Sequence, residues 1–195
     1  MLNVIAAVFK NESEGYQANT TLKGTPLSAN SAIIEMALVK HENNSYKVCD
    51  GFKSEGAYGD DTAAGGIVGS LVGVIGGPLG VILGGATGAM AGNIKDAAEA
   101  VSGQSLIECV VGKMYDDTVS LVILADEEDE ADLNSKLNEY DVEVLRFDAA
   151  AVAAEVEEAA ELEKEMSRQA RAKLREERKE EHKKKAEEKI AQLNA

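Results

Sequence analysis

The sequence predicts an α+β chain: a small sheet domain, a helical hairpin inserted into it, and a long charged helix at the end. Three observations carry this. Apolar runs of strand length alternate with helical spacings through residues 2–147. The 33-residue span 62–94 holds no charged residue in a chain that is 28% charged, and eleven of the eighteen glycines fall within it. Residues 148–195 hold neither glycine nor proline, so one continuous helix is expected there.

Residues 2–9, LNVIAAVF, form a near-continuous apolar run, as a central buried strand requires. The run has no basic flank and no cleavage site, so it is read as a strand and not as a signal peptide. Asn11-Glu-Ser-Glu supplies an N-cap for a helix over 13–23, with Tyr16, Ala18 or Asn19, and Leu22 at helical spacing. Gly24-Thr-Pro26 ends that helix. Residues 30–41 and 45–50 read as two strands joined by a turn at Glu42-Asn43-Asn44. After the glycine span, 95–114 has helical spacing through Ala98, Val101, Leu106 or Ser105, Cys109 and Val110, weakened by Gly103. Residues 118–125, TVSLVILA, are the clearest strand. A short helix over 127–139 and an alternating strand over 141–147 follow. The order β-α-β-β-hairpin-α-β-α-β matches the split β-α-β arrangement of ferredoxin-like folds with one added αβ unit. The expected units are 1–59, the first half of the sheet domain, and 60–94, the hairpin. The second half with its added unit follows over 95–147, and the charged helix over 148–195.

Within the glycine span, Gly65, Gly69, Gly73 and Gly77 are spaced by four, and after Pro78 so are Gly80, Gly84, Gly88 and Gly92. Residues four apart share one face of a helix. Two short helices are predicted, 63–76 and 79–92, each with a bare glycine stripe and with a break at Gly76-Gly77-Pro78. Each helical glycine costs about 0.8–1 kcal/mol against alanine, so eight oppose helicity by roughly 6–8 kcal/mol. Close backbone approach between two helices offsets such a cost, as in small-xxx-small packing. The eight glycines are therefore the candidate helix-packing and assembly residues. The bulky Ile67, Leu71, Val74, Ile75, Leu79, Ile82, Leu83 and Met90 then point elsewhere and need an apolar surrounding, in lipid or in other subunits. Asp60-Asp61, with Thr62 as the alternative, are expected to cap the first helix.

Composition narrows the function. Thirty-five acids face 20 bases, which disfavours nucleic acid as a partner. Cys49 and Cys109 have neither metal-ligand spacing nor a disulfide framework, which suits a reducing cytoplasm. His41 and His182, the two histidines, have no Cys or His partner nearby in sequence, so no zinc site or Cys–His pair is expected. Asp126-Glu-Glu-Asp-Glu130 and Asp132 sit at a helix start, where acids complement the dipole, and no D-x-D-x-D-G loop accompanies them. No Lys-Ser or Lys-Thr follows a glycine as in a phosphate loop. Ser70 and Thr87 are read as bonding within the helices. Neither a catalytic residue nor a cofactor is expected. The tail carries an apolar stripe at Val152, Val156, Ala159, Ala160, Leu162 and Met166, then ten bases and six acids between Arg168 and Lys189. Heptads are not sustained, and a solvated helix is expected; contact with anionic lipid or with the acidic body of another copy is the alternative.

These pieces, in this order, resemble a bacterial family of unknown function grouped with general stress proteins and labelled membrane-associated. The resemblance rests on VIAAVF, on NESEGYQANTTLK, on Asp50-Gly51-Phe52 and on Asp60-Asp61-Thr62 ahead of the glycine row. It rests further on GGPLG within 65–85 and on the closing strand Val144–Asp148. It covers roughly residues 1–160, and the tail from Arg168 departs from it. It implies a stress-associated, membrane-associated role and supplies no catalytic motif. The expected function is thus a non-enzymatic, self-assembling protein, cytoplasmic and anchored in or on a membrane by a glycine-zipper hairpin. Its partners would be itself and a lipid bilayer. Helices of 14–16 residues reach only about 21–24 Å, short of a hydrocarbon core near 30 Å. The alternative is accordingly a soluble homo-oligomeric ring, shell or filament that buries the hairpins between subunits.

Overall fold

Apolar runs at both ends of the sheet domain become neighbours. The structure, a computed structural model, describes residues 1–24, 27, 31–43, 45–54, 66–83, 106–114 and 117–193. Among these, the strands are β1 (Leu2–Phe9), β2 (Ala32–Glu42), β3 (Ser45–Lys53), β4 (Val119–Asp126) and β5 (Val142–Asp148). The helices are α1 (Glu12–Gly24), α2 (Gly66–Gly76), α3 (Pro78–Leu83), α4 (Leu106–Lys113), α5 (Glu130–Leu137) and α6 (Ala149–Leu193). The fold is mixed α+β, with one antiparallel sheet in the order β3-β2-β4-β1-β5. Of the expected helices over 79–92 and 95–114, residues 84–92 and 95–105 lie outside the described residues, as do Asp60, Asp61 and Thr62.

The order of strands differs from the expected core plus appended unit. β5 pairs with β1 from Asn3↔Asp148 to Phe9↔Val142, so the last strand closes one edge of the sheet directly beside β1. β3, beyond β2, is the other edge strand. The physical reason lies in burial: β1 and β4 are buried along nearly their whole length, so each needs a hydrogen-bonded neighbour on both sides.

Both faces of the sheet are covered. On one, Ile5, Ala7 and Phe9 of β1 and Val119, Leu121, Ile123 and Ala125 of β4 pack with Ala18 and Leu22 of α1 and Leu133 and Leu137 of α5. Phe9 meets Tyr140 edge to face at 6.1 Å. The alternate residues Val4, Ala6, Val8, Val122 and Leu124 are equally buried on the other face. There α2 touches β2, β3 and β4, and α4 touches α2 and α3. Val152, Val156 and Ala159 on the first turns of α6 are buried too, as their spacing predicts, and Glu155 accepts a hydrogen bond from Ile107 N at the start of α4 (3.0 Å). Residues Met1–Ala159 form one compact unit and Ala160–Ala195 a second, helical one. In the second unit the exposed surface is almost wholly polar, with Leu174 as its one large exposed apolar side chain among the described residues.

Candidate functional site

The helix α2 forms because its apolar residues recur at 68, 71, 72 and 75, a stripe that one side of a helix can bury. Val68, Leu71, Val72, Val74 and Ile75 are buried, as is Leu79 of α3. The seat of α2 is the protein's own sheet, through β2, β3 and β4, and α3 packs on α2 and α4. This corrects the expectation that Leu71, Val74, Ile75 and Leu79 must seek lipid or another subunit. Burying six such side chains contributes about 1.5–3 kcal/mol each, more than the roughly 0.8–1 kcal/mol that each helical glycine costs.

The candidate assembly glycines divide accordingly. Gly69 and Gly73 are exposed, and a Cβ built on either would meet nothing within 4 Å. Gly77 is half-buried at the break, where its N–H donates to Val74 O (3.2 Å). Gly80 is buried, and a Cβ there would overlap the backbone carbonyl of Ile75. Glycine at 80 thus permits the tight turn by which α3 folds back on α2, with Pro78 as its first residue. Of the described stripe residues, Gly69 and Gly73 thus face out, while Gly80 packs against the end of α2. Gly65, Gly84, Gly88 and Gly92 lie outside the described residues.

A carboxylate that the sequence reading passed over sits under the start of α2. Glu35 is 9% exposed, on β2, and its Oε2 accepts a hydrogen bond from Val68 N at 3.2 Å. The first-turn N–H groups of a helix have no intrahelical acceptor, and the dipole there favours negative charge. Glu35 reaches this position because the ladder to β4 slips between Ile33 and Glu35, a bulge that turns the side chain to the α2 face. Gly66 takes φ +64° beside it, and a Cβ there would overlap the carboxylate. Glu35 thus caps the described start of α2 from β2. A charged residue interrupting the apolar run IIEMALV was the available signal.

Three other polar groups are held in the domain. Near the end of α2, His41 stacks on Tyr46 (ring centroids 4.3 Å, planes 9° apart), and Tyr46 O lies 3.8 Å from a Cβ built on Gly76. His41 Nδ1 and the buried Ser120 Oγ have no hydrogen-bond partner among the described residues. At the β4–α5 corner, Arg146 Nε and Nη2 grip the buried Glu127 carboxylate (3.0 and 3.1 Å), which also accepts from Asn3 Nδ2 at 3.0 Å. Arg146 further reaches Glu130 and Asn134 (3.2 and 2.9 Å), so its guanidinium is fully engaged and structural in character. On the α1 face, Asp50 accepts from Lys23 Nζ at 2.6 Å and from Asn19 Nδ2 at 2.8 Å. The Lys23 ammonium first, then Asn19 and the Gly51 N–H, hold the Asp50 carboxyl down at about 2.

Cys49 and Cys109 are both free thiols. Among the described residues no group of three or more His, Cys, Asp or Glu side chains could hold a metal ion, and no helix is long and apolar enough to cross a membrane. What the arrangement offers is a bare, uncharged glycine surface on a helix whose other side is fixed to the sheet. A family model described as a protein of unknown function (DUF1269) matches residues 62–167, from the glycine span into the start of the tail. No curated protein and no solved structure matches the chain.

Proposed function

The chain belongs to the DUF1269 family of unknown function, and from the seat of its glycine helices we propose that it is a non-enzymatic, self-associating protein. In this reading the sheet is ferredoxin-like in the sense of two split β-α-β units, β1-α1-β2 and β4-α5-β5, with β3 and the glycine helices inserted between them. The inserted helices close the second face, and their glycine zipper contacts a second copy. One observation carries this: Leu71, Val74 and Ile75 are buried on the sheet while Gly69 and Gly73 stand exposed with open space above them. Anchoring in lipid drew its motive from bulky side chains without a seat. The described ones have a seat, which favours association in water. A glycine face without flanking bulk lets a second helix come close enough for backbone packing.

Sedimentation of the full chain in detergent-free buffer tests the reading. The wild type is expected to run as an oligomer, and Gly73→Leu to run smaller with unchanged far-ultraviolet circular dichroism. A wild type that stays monomeric at all accessible concentrations would remove self-association as the function.

A further inference from the structure

The second unit carries a pattern that the glycine face does not explain. Lys164, Arg168, Arg171, Arg175, Arg178 and His182 recur at alternating steps of four and three along α6, so they share one face of the helix. All six are exposed. Lys185 and Lys189 continue the spacing in the sequence. Between Lys164 and Arg178 the flanking positions on that face are Ser167 and Leu174, neither charged, and Leu174 is 54% exposed; Glu181 takes the next such position in the sequence. Lys164 is paired with Glu161 at 2.9 Å, and Arg168 with Glu165 at 3.7 Å. Among the described residues no carboxylate lies within ion-pair distance of Arg171, Arg175 or Arg178. A solvated helix that only needed i,i+4 support has no need to repeat one sign along a single face; this one sets five bases and a histidine there, from Lys164 to His182.

Charge selects the occupant. Residues 1–159 hold 26 acids against 9 bases, a net of −17, whereas residues 160–195 hold 9 against 11, a net of +2. The first unit of another copy is therefore a polyanion for this face. The same −17 repels a phosphate backbone, and the face offers no aromatic side chain on which a base could stack. A helix lying in a lipid surface needs an apolar side opposite its basic one, but the exposed Gln169, Lys173 and Glu177 occupy that side here. Among the described residues of the first unit, the β4–α5 corner is the densest run of acids outside the core: the exposed Glu128, Asp129 and Glu130 and the half-buried Asp132. Asp129 caps α5 through Ala131 N and Glu130 binds Arg146, which leaves Glu128 and Asp132 without an ion-pair partner among the described residues.

We propose that the Lys164–His182 face of α6 docks on the acidic β4–α5 corner of a second copy of this chain. The contact joins exposed charges, so it weakens as salt screens them. It is separate from the glycine face.

The test is sedimentation velocity on the full chain at low salt and at about 0.5 M salt, where the screening length falls to a few ångströms. The wild type is expected to lose association by about tenfold or more in affinity on raising the salt. Arg171→Glu/Arg175→Glu and Glu128→Lys/Asp132→Lys are each expected to lose the salt-sensitive step, and an equimolar mixture of the two to regain it. Gly73→Leu is expected to keep it, which separates this contact from the glycine one. Arg171→Gln/Arg175→Gln, with helicity checked by circular dichroism, guards against a folding defect and should show an intermediate loss. The proposal is overturned by a wild type whose association ignores salt, by a mixture that does not recover, or by unaffected Glu128→Lys/Asp132→Lys. Capture of single-stranded DNA or of phosphatidylserine vesicles by the wild type but not by Arg171→Glu/Arg175→Glu, without self-association, would overturn it in favour of those partners.

Discussion

Truncating Ile75 to alanine separates a helix seated on its own sheet from one that waits for a membrane. Ile75 is 1% exposed, at the C-terminal end of the α2 stripe, and its carbonyl lies against Gly80 of α3. Three carbons are removed, worth about 2.4 kcal/mol of transfer at roughly 0.8 kcal/mol each. The cavity adds to that, because α2 is pinned by Glu35 at one end and by the turn into α3 at the other and cannot collapse freely. Buried Ile→Ala changes cost about 2–5 kcal/mol, and a loss of about 3–4 kcal/mol is expected here. With a urea slope near 2 kcal/mol per molar, the midpoint falls by about 1.5–2 M. The chain has no tryptophan, so the titration is followed by far-ultraviolet circular dichroism. An unchanged midpoint, with only assembly or vesicle binding impaired, would mean that α2 is not part of the folded domain's core and would refute the reasoning.

Alanine at the two ends of the glycine pattern should have opposite signs. Gly73→Ala, exposed in mid-helix, is expected to raise the stability of the dilute chain by about 0.5–1 kcal/mol; Gly80→Ala, driven into the Ile75 carbonyl, is expected to lower it by about 1–3 kcal/mol, both read as urea midpoints. Glu127→Ala leaves the Arg146 guanidinium, 16% exposed, with the exposed Glu130 as its remaining carboxylate among the described residues, at an expected cost of about 3 kcal/mol, while the double change with Arg146→Met recovers part of it. Asp50, held at about 2 against an ordinary value of 3.8, stabilises the fold above the ordinary value and loses that contribution as pH falls toward 2. Its side chain is 44% exposed, so solvent screening limits the effect to about 1 kcal/mol at most. Asp50→Asn should flatten the acid limb of stability between about pH 4 and pH 2 in thermal melts at stepped pH, and an unaltered limb would show that the Lys23 contact is not populated.

Element types were legible because their periods are strong: LNVIAAVF and TVSLVILA admit no helix-face reading, and 148–195 has no breaker. Topology was less so. Nothing local in VEVLRF says that it pairs with β1, since pairing across more than a hundred residues is decided by which buried edge remains open. Bulges were equally hidden. The slip at Ile33–Glu35 costs no special residue, yet it moves Glu35 from the α1 face to the α2 face.

The glycine helices show why the site was half read. Spacing alone marked a stripe and correctly located the break at Pro78, but a stripe does not say which side of the helix is the contact. The missing constraint was in the strands. Continuous apolar runs in β1 and β4 require cover on both faces, and α1 with α5 can supply only one. Some other apolar element had to close the second face, and 62–94 was the one uncharged segment between β3 and β4. Leu71 and Ile75 therefore answer a demand made by Val4, Val8 and Val122, and once they point inward Gly69 and Gly73 are obliged to point out, four residues apart, on the exposed side.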